Sequence, residues 1–250
     1  MTKVPNLKEL KLICQPQSIT HRGVEHWYGP IYRWIDLRTT WLLLHYQNLT
    51  PNMITIPNLF IAAFGGFSLL LSYPWNFIFF FLTFQLWVIL DGVDGEVARY
   101  TKNRGLFGPA VDTLGHFLIY FGLFIPLGLK ISLEYHNFLY LILGFLLTLI
   151  TNLANLPEIA QNVILYKNNL EISKKSIETT NSLLIKIYRI TISPMEISLL
   201  IIFLWLLLSQ FPNYFLFVWK IFFIFYVAIF TASFFLNIFR TKKELDSRKI

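Results

Sequence analysis

The sequence has little charge and almost no cysteine. Only 14% of its 250 residues are charged, whereas 55% are hydrophobic and 18% are aromatic. A soluble domain of this length needs far more polar surface than so few charges provide, so a soluble globular protein is excluded. The single cysteine, Cys14, excludes an internal disulfide, and its polar surroundings in the sequence argue against a reactive thiol.

The apolar residues occur in long runs. Runs of about 18 residues or more recur along the chain, and each can cross a hydrocarbon core of about 30 Å. They predict an all-α integral membrane protein with six transmembrane helices, at residues 53–73, 75–99, 107–130, 137–156, 194–211 and 214–237. Residues 1–47 do not have the pattern of a cleavable secretory leader, so we expect the first spanning helix to act as the insertion signal.

A further helix is expected at residues 31–46, before the first span. Its large apolar residues fall on one broad face: Ile31, Trp34, Leu37, Trp41 and Leu44. Tryptophan among basic residues favours an N-terminal amphipathic helix that lies in the membrane interface, with an ordinary packed helix as the alternative. The predicted organisation is a cytoplasmic N-terminal segment at 1–50, a six-helix membrane domain at 51–240 and a cytoplasmic tail at 241–250.

The basic residues are unevenly distributed between the two sides of the predicted membrane domain. All of the 21 Lys and Arg residues except Lys130 and Lys220 lie in the termini, in the loop after the second span or in the loop after the fourth. This asymmetry predicts that both termini are cytoplasmic. The net charge of +7 is therefore a topology signal, and no nucleic-acid partner is expected.

Acidic residues cluster where the second predicted span ends and the third begins. Asp91 and Asp94 directly follow an apolar run, and Asp112 and His116 are four residues apart in the next segment. Residues three or four apart share one face of a helix, so each pair forms a stripe. Because the connection is short, the two helices should be antiparallel neighbours whose stripes meet near the cytoplasmic boundary.

These aspartates indicate a metal site. An ionised side chain inside a spanning helix costs about 2.5–3.5 kcal/mol, and neighbouring carboxylates also repel one another. A divalent cation that prefers oxygen ligands, such as Mg²⁺ or Mn²⁺, would compensate both effects. Small residues leave room for a ligand against the backbone: Gly92, Gly95, Ala98 and Gly108. Cationic residues that can bind a phosphate group follow: Arg99, Lys102 and Arg104.

The same stretch resembles the motif of the CDP-alcohol phosphotransferases, also called CDP-alcohol phosphatidyltransferases. The family pattern is Asp-x2-Asp-Gly-x2-Ala-Arg, then about eight residues, then Gly-x3-Asp-x3-Asp. The chain matches all of the fixed positions except the last: Asp91, Asp94, Gly95, Ala98, Arg99, Gly108 and Asp112. The segment Thr50-Pro51-Asn52 is similar to the one that often opens the first span of this family.

The resemblance implies a metal-dependent transferase that acts on a CDP-linked donor, either CDP-diacylglycerol or a CDP-alcohol. A substituted phosphoryl group would pass to an alcohol acceptor with release of CMP, in phospholipid or related glycoconjugate synthesis. The implied ligands of one or two Mg²⁺ or Mn²⁺ ions are Asp91, Asp94 and Asp112. The implied CDP-binding residues are Gly95, Ala98, Arg99, Gly108 and Thr55, with Lys102 and Arg104 as further phosphate contacts. At least one substrate would be a lipid, and a homodimer is expected by analogy.

His116 stands where the family has its last aspartate, the residue assigned as the general base. A neutral imidazole, with a reference pKa of about 6.5, can accept a proton near neutral pH, so His116 is the expected base. It could also ligate a metal ion. Asn152 and Arg189 are candidates for contacts with the acceptor. Glu96 projects away from the aspartate stripe, and we expect a salt bridge at the rim of the site.

Two other functions stay open from the sequence. A relative that kept the nucleotide site but lost catalysis would also tolerate His116. A membrane transporter could use intramembrane aspartates as an ion relay, although the uncharged outer hairpins of this chain do not favour it.

Overall fold

The computed structural model describes residues 4–16, 29–45, 49–102, 108–167, 194–211 and 214–247. These residues are helical apart from short connections, and no strand occurs among them. The helices are α1 (Leu7–Cys14), α2 (Gly29–Leu43), α3 (Asn52–Phe64), α4 (Trp75–Thr101), α5 (Gly108–Tyr135), α6 (Leu139–Lys167), α7 (Pro194–Leu208) and α8 (Phe215–Ser247). A 3-10 helix at Gly65–Leu70 follows α3. The all-α prediction is confirmed.

Several of these helices are long and apolar enough to cross a membrane. Within the described ranges there are four such segments: Asn52–Leu70, Trp75–Thr101, Thr113–Tyr135 and Phe215–Phe239. Two shorter apolar segments, Leu139–Ala154 and Glu196–Leu208, coincide with the predicted fourth and fifth spans. At about 1.5 Å per residue they fall short of a full hydrocarbon core. The count of six spans therefore stays a prediction.

The ends of the helices differ from the predicted boundaries. The predicted first span ends early, at Leu70, whereas α6 continues to Lys167 and α8 continues to Ser247. Hydropathy locates the apolar part of a helix, but a helix can continue through polar residues because its hydrogen bonds are made within the backbone. The apolar runs therefore fixed the positions of the helices better than their ends.

The structure divides into two compact units, one of Met1–Gly122 with Asn181–Ser198 and one of Leu123–Thr180 with Leu199–Ile250. In the first unit, α1, α2 and α3 pack against α4. Two buried clusters join them, one of Leu10, Cys14 and Leu37 and one of Ile54, Val93 and Val97. At Gly122 of α5, a Cβ atom would lie 2.0 Å from the carbonyl oxygen of Ala62 in α3. Only glycine permits this approach.

In the second unit, α6 packs against α8. Buried aromatic side chains of α8 form much of its core: Phe215, Trp219, Phe222, Phe223, Tyr226 and Phe230. The Tyr140 hydroxyl donates a hydrogen bond to the carbonyl oxygen of Leu216 at 2.7 Å. A Cβ atom at Gly128 would lie 2.4 Å from the carbonyl oxygen of Tyr140, so α5 and α6 also meet at a glycine.

The helix predicted at residues 31–46 is present as α2, and its predicted apolar residues differ in burial. Leu37 is buried against α1, whereas Ile31 and Trp34 are 56% and 57% exposed. The guanidinium carbon of Arg38 lies 3.6 Å from the centroid of the Trp34 ring. These residues differ in burial because α1 and α4 cover only part of α2, and the amphipathic character of the helix stays a prediction. Its position in the membrane interface stays a prediction.

Candidate active site

Asp91 and Asp94 lie one turn apart near the C-terminal end of α4, and both are half-buried. The Thr55 hydroxyl of α3 lies 2.8 Å from Oδ2 of Asp94, to which it donates, and 3.0 Å from the carbonyl oxygen of Pro51. The packing of Ile54 against Val93 and neighbouring residues holds α3 in this register. Thr55, predicted as a nucleotide contact, thus lies against one of the predicted metal ligands and orients it.

His116 of α5 lies beside α4. Its ring centroid is 6.1 Å from that of Trp87, the two rings meet edge to face, and the His116 side chain is exposed. Trp87 is one turn before Asp91, and Asp112 is one turn before His116. Because only residues 102–107 connect α4 to α5, the helices run antiparallel. The backbone position of Asp112 is therefore near the level of Asp91.

Arg99 is folded back over Gly95. A Cβ atom at Gly95 would lie 3.2 Å from Nη1 of Arg99 and 3.6 Å from Nη2. On the other side, the Nε–H group of Arg99 donates to the carbonyl oxygen of Cys14 at 2.6 Å. The absence of a side chain at Gly95 therefore leaves space for the guanidinium group on the aspartate-bearing part of α4.

The structure describes some of the remaining residues that were predicted for the site. Ala98 is half-buried on α4, Lys102 is exposed and follows the helix in a left-handed conformation (φ 54°), and Gly108 begins α5. Asn152 is half-buried on α6, in the second unit, and its Oδ1 atom has no hydrogen-bond partner among the described residues. Arg104, Arg189 and the side chain of Asp112 lie outside the described parts of the chain.

A second acidic group, which the sequence did not reveal, lies between α2 and α4. Asp36 is only 7% exposed, and a Cβ atom at Gly92 would lie 2.3 Å from its Oδ2 atom. Burial raises the pKa of Asp36 to about 8, as do the negative charges of Glu96 and Asp91, against the opposing effect of Arg33 and Arg99. Gly92, predicted to leave room for a ligand, instead leaves room for a buried carboxyl group.

Glu96 belongs to this buried group. It is 2% exposed, and its Oε1 atom accepts a hydrogen bond from Nε2 of Gln15 at 2.5 Å. The predicted salt bridge at the rim is wrong because α1 and α2 cover this face of α4. The Thr40 hydroxyl lies near the Glu96 carboxylate, but without the geometry of a hydrogen bond. No spacing in the sequence of α4 indicated that two distant segments would cover it.

Cys14 is buried at the end of α1. Its thiol donates to the carbonyl oxygen of Glu96 at 3.4 Å. Burial, with a smaller contribution from the charge of Glu96, raises the pKa of the thiol to about 12. A thiol that stays protonated and inaccessible is a poor nucleophile, so the expectation of an unreactive cysteine is supported, although the residue lies in a core and not in polar surroundings.

The donor groups of the site fit a divalent metal ion in their chemistry. Asp91 and Asp94 provide two half-buried carboxylates one turn apart, and Mg²⁺ and Mn²⁺ prefer such oxygen ligands. Among the described side chains, no group of three or more His, Cys, Asp and Glu residues could hold a metal ion. A third carboxylate would have to come from Asp112.

Comparison with known proteins agrees with the motif. The family model for CDP-alcohol phosphatidyltransferase matches residues 48–236, from just before α3 into α8. Over 66 residues the chain is 36% identical to an uncharacterized protein of Aquifex aeolicus (strain VF5). That alignment covers 26% of this chain and 32% of the length of the relative. The long apolar helices and the family match indicate an integral membrane protein, and the chain belongs to the CDP-alcohol phosphatidyltransferase family.

Proposed function

We propose that the protein transfers a substituted phosphoryl group from a CDP-linked donor to an alcohol acceptor and releases CMP. Family membership supports the reaction class. The observation that carries the proposal is the arrangement of Asp91 and Asp94, with Asp94 held by Thr55 and with His116 beside the same helix. The donor is CDP-diacylglycerol or a CDP-alcohol, at least one substrate is a lipid, and the product enters phospholipid or related glycoconjugate synthesis.

In this proposal the aspartates hold the metal and the cationic residues hold the donor. Asp91, Asp94 and Asp112 would hold one or two Mg²⁺ or Mn²⁺ ions, which would neutralise the pyrophosphate and polarise its phosphorus atom. Arg99 binds a phosphate oxygen of the donor through its Nη atoms. Gly95, Ala98 and Gly108 leave room for the nucleotide, and Lys102 and Arg104 add positive charge at the phosphate end.

His116 is the proposed base. Its exposed imidazole can be approached by an acceptor, and in its neutral form it accepts the proton of the acceptor hydroxyl. The hydroxyl oxygen then forms a bond to the phosphorus atom as the bond between that atom and CMP breaks. Asn152 and Arg189 are proposed to contact the acceptor.

The proposed membrane arrangement has six spans, an interfacial α2, and the active site and both termini in the cytoplasm. The asymmetric distribution of Lys and Arg supports this orientation. The proposed assembly is a homodimer, by analogy with the family.

The experiment that tests the function measures CMP release by the purified protein in lipid–detergent micelles. CDP-diacylglycerol and soluble CDP-alcohols are paired with a panel of alcohol acceptors, with Mg²⁺, Mn²⁺ or EDTA. We expect release with a metal ion, none with EDTA, and none from Asp94→Asn. Glu134→Gln is the matched control because Glu134 pairs with Lys130 at 2.9 Å, away from the motif.

The outcomes separate the candidate functions. A protein that binds CDP but releases no CMP with any donor is a non-catalytic relative. Activity that persists in Asp94→Asn contradicts the site assignment, and loss of activity in His116→Ala with recovery in His116→Asp supports the base.

A further inference from the structure

We propose that the C-terminal end of α1 positions Arg99 for the donor nucleotide. The groups that do so are the carbonyl of Cys14 and the side chain of Gln15. The inference rests on the proposed function, because that function assigns Arg99 to the CDP-linked donor. Gln15 and Cys14 are positioning residues, since each acts through α4.

Three hydrogen bonds join the end of α1 to one turn of α4. Nε–H of Arg99 donates to the Cys14 carbonyl at 2.6 Å, and the Cys14 thiol donates to the Glu96 carbonyl at 3.4 Å. Nε2 of Gln15 donates to Oε1 of Glu96 at 2.5 Å. The two residues of α4 that receive these contacts, Glu96 and Arg99, lie on the turn that follows Gly95. The end of α1 is thus attached directly beside the aspartate-bearing part of α4.

The Cys14 carbonyl is well suited to bind a guanidinium group. The last carbonyl groups of a helix have no partner within the helix and carry partial negative charge from the helix dipole. Cys14 and Leu10 are fully buried, so the carbonyl is held in place by the packing of α1. A hydrogen bond to Nε fixes the plane of the Arg99 guanidinium, whose Nη atoms then lie over Gly95.

Gln15 holds the end of α1 against two other helices at once. Besides Glu96 of α4, its amide nitrogen donates to the carbonyl oxygen of Arg33 in α2 at 2.8 Å. Loss of this amide would remove both contacts and allow the end of α1 to move away from α4. The Cys14 carbonyl, which no side-chain substitution can delete, would then no longer be fixed against Arg99.

The expected consequence is weaker binding of the nucleotide. An arginine that is already ordered loses less conformational entropy when it binds a phosphate than one that the ligand must order. The contact between Arg99 and the donor phosphate is made both in the ground state and in the transition state. Weakening this contact should therefore raise KM more than it lowers kcat.

The test uses the full-length protein in lipid–detergent micelles with Mg²⁺ and CDP as the binding probe. Gln15→Ala should weaken CDP binding by about fivefold, the effect of one or two hydrogen bonds, and should raise the KM of the CDP donor with little change in kcat. Lys8→Ala is the matched control, since Lys8 is exposed in the first turn of the same helix. Equal CDP affinity in Gln15→Ala and the wild type would overturn the inference. If Gln15→Ala weakens CDP binding as expected but the wild type releases no CMP, only the proposed catalysis is overturned.

A double-mutant cycle distinguishes positioning from a general loss of structure. Arg99→Lys has no Nε–H group to donate to Cys14, so adding Gln15→Ala to it should cause no further loss of CDP affinity. If the two losses multiply instead, Gln15 does not act through Arg99, and the inference is wrong. The melting temperature of each variant, measured in the same micelles, gives a readout of folding that is independent of CDP.

Discussion

The hydrogen bond from Thr55 to Asp94 joins α3 to α4, although the two residues are 39 positions apart in the sequence. Thr55→Val keeps the shape of the side chain but removes the donor, so Asp94 is less well oriented toward a metal ion. Loss of such a supporting contact typically lowers metal affinity or activity by about tenfold or more. We expect CMP release by Thr55→Val to need a higher Mg²⁺ concentration for half-maximal rate, whereas Thr55→Ser should behave as the wild type. An unchanged Mg²⁺ dependence in Thr55→Val would show that the contact does not serve the metal site.

Asp36 should make the stability of the protein depend on pH. Its pKa rises from 3.8 to about 8 on folding, so between these values the native state binds a proton that the unfolded chain has released. The stability that Asp36 contributes is therefore greatest below the lower value, declines between the two values and is fully lost above about 8. Asp36→Asn, which resembles the protonated acid and does not titrate, should lose this decline.

The measurement is the melting temperature in detergent from pH 6 to pH 9. We expect the melting temperature of the wild type to fall by several degrees relative to that of Asp36→Asn as the pH rises from 6 to about 8, and the difference to stay constant above that pH. Asp246→Asn, at an exposed position of α8, should keep the wild-type slope. If the melting temperatures of Asp36→Asn and the wild type change with pH in the same way, Asp36 is ionised in the folded protein.

The sequence revealed the residues of the motif and Thr55, but not Gln15 and Asp36, which pack against the same helix. Asp91, Asp94 and His116 stand out because their spacing matches a helix period within apolar segments. Gln15 and Asp36 carry no such signal, since their importance comes from contacts with α4, which is distant in the chain. Such contacts depend on how separate helices pack against one another, and the spacing of residues within one segment does not indicate that packing.

At the scale of single helices, the approach of α5 to α3 depends on Gly122. A Cβ atom there would lie 2.0 Å from a backbone oxygen, which cannot be relieved by a change of rotamer. Gly122→Ala should therefore destabilise the protein by about 1–3 kcal/mol, as overpacking usually does. Gly115→Ala on the same helix is the matched control, because its Cβ atom would make an ordinary contact at 3.5 Å with Leu59.

Melting temperatures of the two glycine variants in identical micelles check this prediction. Gly122→Ala should melt several degrees below the wild type, whereas Gly115→Ala should be unchanged or slightly more stable, since alanine favours a helix by about 1 kcal/mol over glycine. Equal melting temperatures for both variants would mean that α3 and α5 separate easily at this point.

The elements themselves were largely predictable, and the reason is the apolar content of the chain. Each predicted span coincides with a helix in the described residues. The end of α6 at Lys167 and the packing of α2 were not predictable in the same way. Polar residues can continue a helix, and a helix that packs on others does not need one uniform apolar face.

At the scale of the whole molecule, the number of transmembrane spans determines on which side of the membrane each loop lies. Six spans with a cytoplasmic N-terminus place Phe138, between α5 and α6, outside the cell and Lys167, at the end of α6, inside it. Four spans would leave Lys167 outside, because α6 would not cross the membrane. Phe138 is 74% exposed, so a cysteine there is open to a reagent.

Labelling with a membrane-impermeant maleimide therefore tests the arrangement directly. The wild type supplies a clean background, because Cys14 is buried and its pKa of about 12 keeps the thiol protonated. We expect Phe138→Cys to be labelled in intact cells and Lys167→Cys only after lysis. Labelling of both in intact cells would mean that α6 does not span. Labelling of Phe138→Cys only after lysis would mean that Phe138 lies in the cytoplasm. That result would contradict the orientation predicted from Lys and Arg, which places the basic loops in the cytoplasm and Phe138 on the opposite side.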